Sequence, residues 1–336
     1  MSELIRIIVG TIGLAVFGIF AGMLMQGVDR IIAARMQARI GPPIQQPWWD
    51  FLKLLSKNNV VPDNAIAPVF NAGPLVAFAA ALTVLLYLPI AGFRPVLGQH
   101  GDLILVIYLL AVPALAIMAG AFASGSPYAT IGAQREMVTM IAYELPLATA
   151  VIAFAWKLAN AGVAMPFALT SIQANPIWEM VGPIGAIGVA LLFMAMLAVT
   201  PAKLGKAPMD TPAAKSELAD GLLLEYSGRN LAMYYLSLAL KMVIMASLIV
   251  LLFIPWNATD LCAACNFGAC DCGLIGPVLN ILFFIVKVFV VMFVSVTLVR
   301  TSMARLRITQ VFELYWKYIG LMSLIGLALI MIDAKI

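Results

Sequence analysis

Long runs without charged residues constrain this sequence more than any other feature. Residues 103–123, for example, contain no Asp, Glu, Lys or Arg. A helix of about 20 apolar residues is long enough to cross the hydrocarbon core of a bilayer. Eight such segments can be placed, three of them with one ionisable residue inside: 7–28, 66–93, 103–123, 137–156, 180–202, 231–256, 273–299 and 318–332. The last is short, so we expect its helix to begin earlier, among Phe312, Tyr315 and Trp316.

Composition supports the same class. The chain is 63% hydrophobic and 11% charged, against about 25% charged residues in soluble domains. We therefore predict an all-α membrane protein with eight transmembrane helices, a cytoplasmic amphipathic helix and a long charged cytoplasmic loop. We treat residues 1–336 as a single polytopic membrane domain. The modest net charge of +4 gives no reason to propose nucleic acid as a partner.

The distribution of Lys and Arg predicts the orientation, because cytoplasmic loops carry an excess of both. Segments 29–65, 124–136, 201–230 and 300–317 together hold 14 basic residues, whereas the segments on the opposite side hold four. We therefore expect a multi-pass protein of the cell (cytoplasmic) membrane with both termini outside the cytoplasm. The first segment is predicted to be a retained span and not a signal peptide.

The loop 201–230 interrupts the apolar sequence with a dense set of charges. It holds the acids Asp210, Glu217, Asp220 and Glu225 and the bases Lys203, Lys206, Lys215 and Arg229. Thr211 is a candidate helix cap before Pro212, and on that helix Glu217 and Asp220 would share one face. The loop is either a solvated connection or a charged wall that faces a cavity or a docked subunit.

Three ionisable residues lie inside predicted spans: Glu144, Lys241 and Lys287. Charges at such depth are costly and commonly mark ion pathways. Pro146 should kink the helix beside the Glu144 carboxylate. The three residues form either a structural ion pair or a polar seam that relays a proton or another ion. We assign Glu144 to the centre of the pathway, with Asp210, Glu217, Asp220 and Glu225 on its cytoplasmic side.

The first cytoplasmic loop combines basic residues with an amphipathic helix. From Pro47 onward, Trp48, Phe51, Leu52 and Leu55 recur at helical spacing, with Asp50, Lys53 and Lys57 on the other face. Such a helix lies in the membrane interface. We expect the following charged residues to form an interface with a soluble partner: Asp29, Arg30, Arg35, Arg39, Arg135 and Arg229.

All four cysteines lie in one predicted outer loop: Cys262, Cys265, Cys270 and Cys272. Their spacing differs from that of zinc ribbons and ferredoxins, and disulfides are permitted outside the cytoplasm. Two disulfides are the leading interpretation. A metal or cluster site is the alternative, and free thiols would be favoured in a strict anaerobe. No haem-ligand pair, nucleotide fingerprint or nucleophile elbow is present, so we predict neither a cofactor nor a metal in this chain.

Several motifs resemble those of a known family. The segments ARMQARIGP, QPWWDFLKLL, GAQREMVTMIAYEL and ELADGLLLEYSG are similar, in the same order, to those of the H-subunit family of respiratory complex I. That family includes the counterpart subunits of membrane-bound, energy-converting NiFe hydrogenases. The resemblance covers essentially the whole chain. It implies a membrane subunit without redox centres that anchors a peripheral electron-transfer arm and couples electron transfer to translocation of protons or sodium ions.

The first loop points to one branch of that family. The turn at residues 41–47 is compact, with Pro42 and Pro43 in sequence and Trp48 and Trp49 directly after it. This resembles the hydrogenase-type subunits and the membrane-bound sulfane reductase relatives, and we expect the space beside it to be closed or filled. The acidic loop departs from the family pattern, because Lys215 stands where an acid is usual.

The resemblance to the hydrogenase branch also implies partners. They are peripheral hydrogenase large and small subunits carrying a NiFe centre and iron–sulfur clusters, antiporter-like membrane subunits, and the lipid bilayer. The alternatives are the quinone-binding H subunit of NADH-quinone oxidoreductase, a sulfane reductase subunit, or, from the buried charges alone, a stand-alone ion transporter.

Overall fold

The computed structural model describes residues 3–93, 95–98, 101–259 and 275–333. Within these ranges eight helices are long and apolar enough to cross a membrane, which confirms the predicted fold class. Their bounds are Glu3–Met36, Ala67–Tyr87, Leu103–Ala123, Pro127–Asn160, Pro183–Lys203, Gly228–Phe253, Gly276–Ser302 and Ile308–Asp333. We number these spans one to eight in chain order.

Successive spans run in opposite directions, so the bundle has two ends. The charged end holds the connections 37–66, 124–126, 204–227 and 303–307, and the terminal end holds the connections 88–102 and 161–182 and residue 333. Which end faces the cytoplasm stays the prediction made from the basic residues. The four cysteines lie outside the described residues, and their state also stays a prediction.

The sixth span forms the centre of the bundle. In its most apolar window 94% of the residues are buried inside the protein, compared with 17% for the first span. Aromatic rings fix its neighbours, since Phe253 lies 5.1 Å from the rings of both Phe154 and Phe193, on the fourth and fifth spans. A polar residue on the sixth span is therefore enclosed by protein, and not by lipid.

The predicted amphipathic helix is present at Gln46–Leu55, with a proline in its first turn. Asp50 turns toward the protein and accepts hydrogen bonds from Arg30 and Gln46, each at 2.9 Å, whereas Leu52 and Leu55 are exposed. An ion pair with the first span, and not the apolar stripe alone, therefore decides how this helix is rotated.

The last two spans each contain a π-helical segment, at Phe293–Leu298 and Leu314–Ile319. Such widened turns recur at functional sites. The eighth span begins at Ile308, which confirms an earlier start than residue 318 but places it before Phe312, the first of the aromatic residues among which we expected it. Tyr315, within the second widened turn, is buried and donates a 2.5 Å hydrogen bond to the carbonyl of Ala198.

The charged loop does not form the predicted helix. A short 3-10 turn spans Thr211–Ala213 with Asp210 at its N-cap, and a single helical turn follows at Lys215–Leu218. The chain then adopts left-handed backbone at Ala219 and Asp220. The expectation that Glu217 and Asp220 share a helix face is therefore wrong, because the break between them turns the two carboxylates toward different partners.

Candidate functional site

Three acids of the charged loop are held in ion pairs at the charged end. Asp210 accepts two hydrogen bonds from Arg305, at 2.8 and 2.6 Å. Glu217 accepts one from Arg135 at 2.5 Å, and the Nζ atom of Lys215 lies 3.5 Å from Asp220. The hydrogen bond from Arg135 holds the pKa of Glu217 below its ordinary value. These acids are therefore already matched by bases of their own chain.

Two glycines explain the backbone of this loop. Gly221 and Gly228 both adopt positive φ, +49° and +53°. A β-carbon at Gly221 would lie 2.1 Å from the carbonyl oxygen of Pro212, and one at Gly228 would lie 2.7 Å from that of Asn58. Only glycine avoids both the strain and the clash. The glycines of the ADG and YSG sequences thus allow the loop backbone to pack closely against its neighbours.

Tyr226 anchors the loop to three spans. Its ring stacks on Phe70 at 4.1 Å and its hydroxyl donates to the carbonyl of that residue at 3.2 Å. The ring also meets Tyr234 edge to face at 4.8 Å. A β-carbon added at Gly120 of the third span would lie only 2.1 Å from the hydroxyl oxygen. Burial raises the pKa of Tyr226 to about 12, so this phenol stays protonated at physiological pH and is an anchor.

A second set of charges lies deeper, inside the bundle. Glu136 on the fourth span, Lys203 at the end of the fifth and Lys241 on the sixth are 9%, 1% and 2% exposed. Glu136 interacts electrostatically with both lysines, and the two lysines repel one another. The Lys203 ammonium also lies 5.3 Å from the centre of the Tyr143 ring. Two bases and one acid are therefore buried within electrostatic range of one another.

Glu144 also interacts with one member of this set. It is half-buried on the fourth span next to Tyr143, and it interacts electrostatically with Lys203. Lys241 interacts electrostatically with Glu136 instead. Glu144 and Lys241 are therefore connected through their interactions with Lys203 and Glu136, and not by direct pairing.

Lys287 does not belong to this region. Its Nζ atom donates to the carbonyl oxygens of Ile254 and Trp256, at 2.9 and 2.8 Å, and lies 5.0 Å from the Phe283 ring. These carbonyls follow the end of the sixth span, at the terminal end. The expected seam of Glu144, Lys241 and Lys287 is therefore not formed, because the sixth span separates the two lysines along its length. Lys287 satisfies carbonyls that the end of a helix leaves without partners.

The residues predicted to form a subunit interface divide into two groups. Asp29 is 3% exposed and accepts hydrogen bonds from Thr297 and Arg300, at 2.8 and 3.1 Å. It therefore lies inside its own chain and does not belong to a docking surface. Arg30 and Arg135 are also engaged internally, with Asp50 and Glu217. Three of the predicted interface residues are exposed at the charged end: Arg35, Arg39 and Arg229.

A cavity of about 520 Å³ opens at the charged end between the amphipathic helix, the first span and the sixth span. Its apolar lining includes Met23, Phe51 and Ala239. Its ionisable lining consists of Arg30, Asp50, Lys53, Lys57, Lys206, Asp210, Lys215, Asp220 and Tyr235. Pro47 also lines it, so the chain by itself leaves a space beside the compact turn; that protein, lipid or water fills this space stays a prediction. Eight of the lining residues are charged, and most of the others are apolar.

Comparisons with known proteins identify the family. A family model described as NADH dehydrogenase matches residues 9–331. The H subunit of NADH-quinone oxidoreductase from Bacillus thuringiensis (strain Al Hakam) is 31% identical over 317 residues, which cover 91% of this chain and 88% of that protein. Its counterpart from Bacillus cereus (strain AH187) matches equally well. The chain belongs to the NADH dehydrogenase family.

A solved structure agrees with this assignment. A chain of the membrane-bound sulfane sulfur reductase, described as an archaeal respiratory membrane complex, superposes with a TM-score of 0.81 at 28% identity. The match covers 96% of this chain and 99% of that one. The resemblance drawn from the motifs is thereby confirmed at the level of the complex I H-subunit family. The hydrogenase branch of the family stays a prediction.

Two residues of the deep cluster of this family member were missed by sequence reasoning. Glu136 and Lys203 each lie one residue outside a predicted apolar segment, 137–156 and 180–202, so neither stands out as an ionisable residue inside a span. One signal was available: Glu136 precedes Glu144 by eight residues, which is close to two helical turns, so both lie on one face. The predicted fifth segment ends at residue 202, one residue short of Lys203, which the helix includes.

Proposed function

We propose that this chain is the membrane coupling subunit of a multisubunit oxidoreductase of the complex I family. In this role it anchors a peripheral electron-transfer arm at the charged end and links electron transfer there to ion movement through the membrane. Family membership supports the assignment to such a complex. The observation that carries the coupling role is the deep cluster of Glu136, Lys203 and Lys241, with Glu144 beside it.

The cluster is suited to coupling because it is expensive to bury and remains incompletely satisfied. Removing charges from water costs several kcal/mol each unless they are paired and hydrogen-bonded. Within the described residues, the Nζ atom of Lys203 and the hydroxyl of Tyr143 have no hydrogen-bond partner. A protein that needed these groups only for stability would be better served by apolar residues of similar volume. Retaining them fits a site whose protonation changes during turnover.

The position of the cluster supports a connection to the arm. Arg135, which binds Glu217 of the charged loop, is adjacent in sequence to Glu136. A charge change in a docked redox subunit would act on this loop and then on the adjoining cluster. Low-dielectric surroundings strengthen such an effect compared with water. The coupling is therefore electrostatic, and the chain itself carries protons or sodium ions while electrons remain in partner subunits.

We further propose that the complex is of the NiFe hydrogenase type. A site for a quinone ring needs mostly apolar walls with a few polar groups. The cavity beside the amphipathic helix has many apolar lining residues, but it also carries eight charged side chains, Arg30, Asp50, Lys53, Lys57, Lys206, Asp210, Lys215 and Asp220, which is more than the few polar groups that a quinone site uses. In this proposal electrons end at a NiFe centre, reached through iron–sulfur clusters, in peripheral large and small subunits. Antiporter-like membrane subunits complete the assembly.

A second candidate is reduction of sulfur compounds. It is favoured by the similarity to the sulfane sulfur reductase chain along the whole length. The membrane subunit would act in the same way in either complex, because the acceptor is reduced in the partner subunits. The two candidates therefore differ in the peripheral arm, and not in the deep cluster.

The test is to purify the native complex and to assay its reactions with reduced ferredoxin side by side. Hydrogen evolution together with bound nickel would support the hydrogenase assignment. Reduction of polysulfide without nickel would support the second candidate. Quinone reduction that a site-directed inhibitor blocks, with neither hydrogen nor nickel, would contradict both and favour a quinone-reducing member of the family.

A further inference from the structure

The cavity beside the amphipathic helix changes from charged to apolar with depth. On the first span its lining runs from Arg30 to Met23, and on the sixth span from Leu231 to Ala239. The sixth span begins at Gly228 at the charged end, so Ala239 lies about 16 Å deeper along it, at 1.5 Å per residue. The basic loop residues lie at the opposite end of the cavity, which we call its mouth. This distribution matches an amphiphile that has a charged head and an apolar tail.

Backbone contacts between neighbouring elements shape the cavity. A β-carbon at Gly22 would lie 2.7 Å from the carbonyl oxygen of Ala239, so the first and sixth spans touch at the inner end. A β-carbon at Gly27 would clash with the carbonyl of Ile44, so the compact turn lies directly against the first span. Because backbone atoms make these contacts, the cavity is built into the fold and does not depend on side-chain rotamers alone.

The acids in the lining already have partners. Asp50 pairs with Arg30 at 2.9 Å, and Asp220 lies 3.5 Å from Lys215, and both of these bases belong to the same lining. Asp210 is matched at 2.6 Å by an arginine that is not part of the lining. None of the three carboxylates therefore remains to neutralise the other bases of the cavity.

Three bases of the lining are left over: Lys53, Lys57 and Lys206. Lys206 lies 4.0 Å from Asp29, but Arg300 already binds that carboxylate at 3.1 Å. Lys53 and Lys57 are exposed, and neither forms an ion pair in the part of the chain that the structure describes. The two lysines are four residues apart, which places them on one side of a helical turn. The mouth therefore presents positive charge that is available to an anion from outside the chain.

The depth of the amphipathic helix indicates where that anion comes from. Trp49, Leu52 and Leu55 are exposed and do not line the cavity. A helix with such a face lies in the membrane interface, and Trp rings prefer the level of the lipid headgroups. Lys53 and Lys57 on the same helix are therefore held near the depth of lipid phosphate groups.

We propose that this cavity binds one anionic phospholipid, with its phosphate group at Lys53 and Lys57 and the first carbons of its chains between Met23 and Ala239. Tyr235 lines the same cavity, and its hydroxyl makes no hydrogen bond within the described residues, so it can donate to a headgroup oxygen. The volume of about 520 Å³ is smaller than a whole phospholipid, so the ends of the chains lie outside it. The site is separate from the deep cluster, and its tests do not depend on turnover.

The first test is labelling of the purified native complex with a photoreactive lipid. The probe is phosphatidylglycerol with a diazirine near the start of one chain. We expect it to label peptides from residues 46–57 and 228–239. Phosphatidylcholine with the same diazirine should label them much more weakly, because its headgroup carries no net charge. Equal labelling by the two probes would overturn the selection for an anionic lipid.

The second test removes the two lysines of the mouth. Lys53→Gln combined with Lys57→Gln should lower labelling at a low probe concentration by about tenfold or more, since each Lys beside an anionic lipid surface contributes roughly a factor of five. The matched control is Arg307→Gln combined with Lys317→Gln, which removes two exposed cations elsewhere and should leave labelling unchanged. Unchanged labelling in the Lys53 and Lys57 double variant would refute the site.

The third test distinguishes a lipid from other sources of negative charge. Glycerol 3-phosphate has the phosphate group without the chains, so it should fail to displace the probe at concentrations where unlabelled phosphatidylglycerol succeeds. Equal displacement by the two compounds would indicate a site for free phosphate and overturn the proposal. A carbodiimide joins lysines to carboxylates in direct contact. Coupling of Lys53 or Lys57 to an acidic residue of a partner subunit would show that protein covers the mouth, which would also overturn it.

Discussion

Buried charged groups have hydrogen-bond partners at the terminal end of the bundle, whereas one at the charged end does not. At the terminal end, Asp333 accepts hydrogen bonds from Lys157 at 2.7 Å and from the backbone of Gly182 and Gly185 at 3.1 and 3.3 Å. Lys287 there donates to two carbonyls. At the charged end, Lys203 is as deeply buried, yet its ammonium has no hydrogen-bond partner among the described residues.

This difference separates structural charge from functional charge. Asp333 caps the amide groups at the start of the fifth span and ties the eighth span to the fourth, which is a fixed arrangement with every strong donor matched. A group in such a site has little reason to change protonation. The Lys203 site lacks that saturation, so a small change of potential can alter its protonation. Depth in the membrane alone does not distinguish the two, because both sites are enclosed.

The largest expected effect is on the Asp333 site, whose carboxylate is fully hydrogen-bonded. Lys157→Met leaves the Asp333 carboxylate enclosed without its cation, since their side chains are 10% and 8% exposed. Breaking a buried pair by removing one partner costs about 3 to 5 kcal/mol. We expect a clearly lower thermal unfolding temperature of the purified complex, partly restored by adding Asp333→Asn. An unchanged unfolding temperature would mean that the Asp333 contacts are not structural.

The next largest effect is on the Lys203 site, whose ammonium lacks a hydrogen-bond partner among the described residues. Here we expect a loss of function without a loss of stability. Glu144→Gln keeps the size of the side chain but removes a proton carrier beside Lys203. We expect assembly and unfolding temperature to be unchanged, while ion translocation falls by about a hundredfold, the low end of the contribution of a positioned proton-transfer group. Translocation in proteoliposomes is the measurement, and a normal rate would remove Glu144 from the pathway.

A smaller effect concerns the surface of the charged end. Arg35 and Arg39 are exposed, and the double charge reversal to Glu should weaken attachment of the peripheral arm. Because exposed charges are screened over about 8 Å at physiological salt, release of the arm should depend on salt. Co-purification across a salt series is the measurement, with Lys317→Glu as the matched control. Full retention at every salt concentration would indicate that these arginines contact lipid headgroups.

The smallest effect is the pH response of the loop. The hydrogen bond from Arg135 lowers the pKa of Glu217 below its ordinary value of 4.5. The pair therefore stabilises the loop above that pH, and the contribution disappears as the pH falls through the lowered value. Arg135→Gln should increase protease cleavage at residues 211–224 at neutral pH. The difference from wild type should shrink on acidification, and a difference independent of pH would exclude this pair as its source.

Sequence alone predicted the eight spans well because apolar length is a local property. It also located the amphipathic helix from Pro47 and the early start of the eighth span. It identified Glu144, Lys241 and Lys287 as ionisable residues inside spans, since such a group in an apolar run is visible without any fold. The cysteine loop and the orientation of the two ends remain predictions from sequence.

What the tertiary structure decided is which charges meet. Whether Lys287 approaches Lys241, whether Asp29 faces a partner or Thr297, and whether the space beside the compact turn is closed all depend on helix rotation and packing between distant segments. The left-handed residues Ala219 and Asp220 redirect the loop acids in a way that helix-capping signals do not reveal. Charge pairing across a bundle is a non-local property. A run of apolar residues therefore predicts how deep a side chain lies in the membrane, but only tertiary packing determines which partner it has.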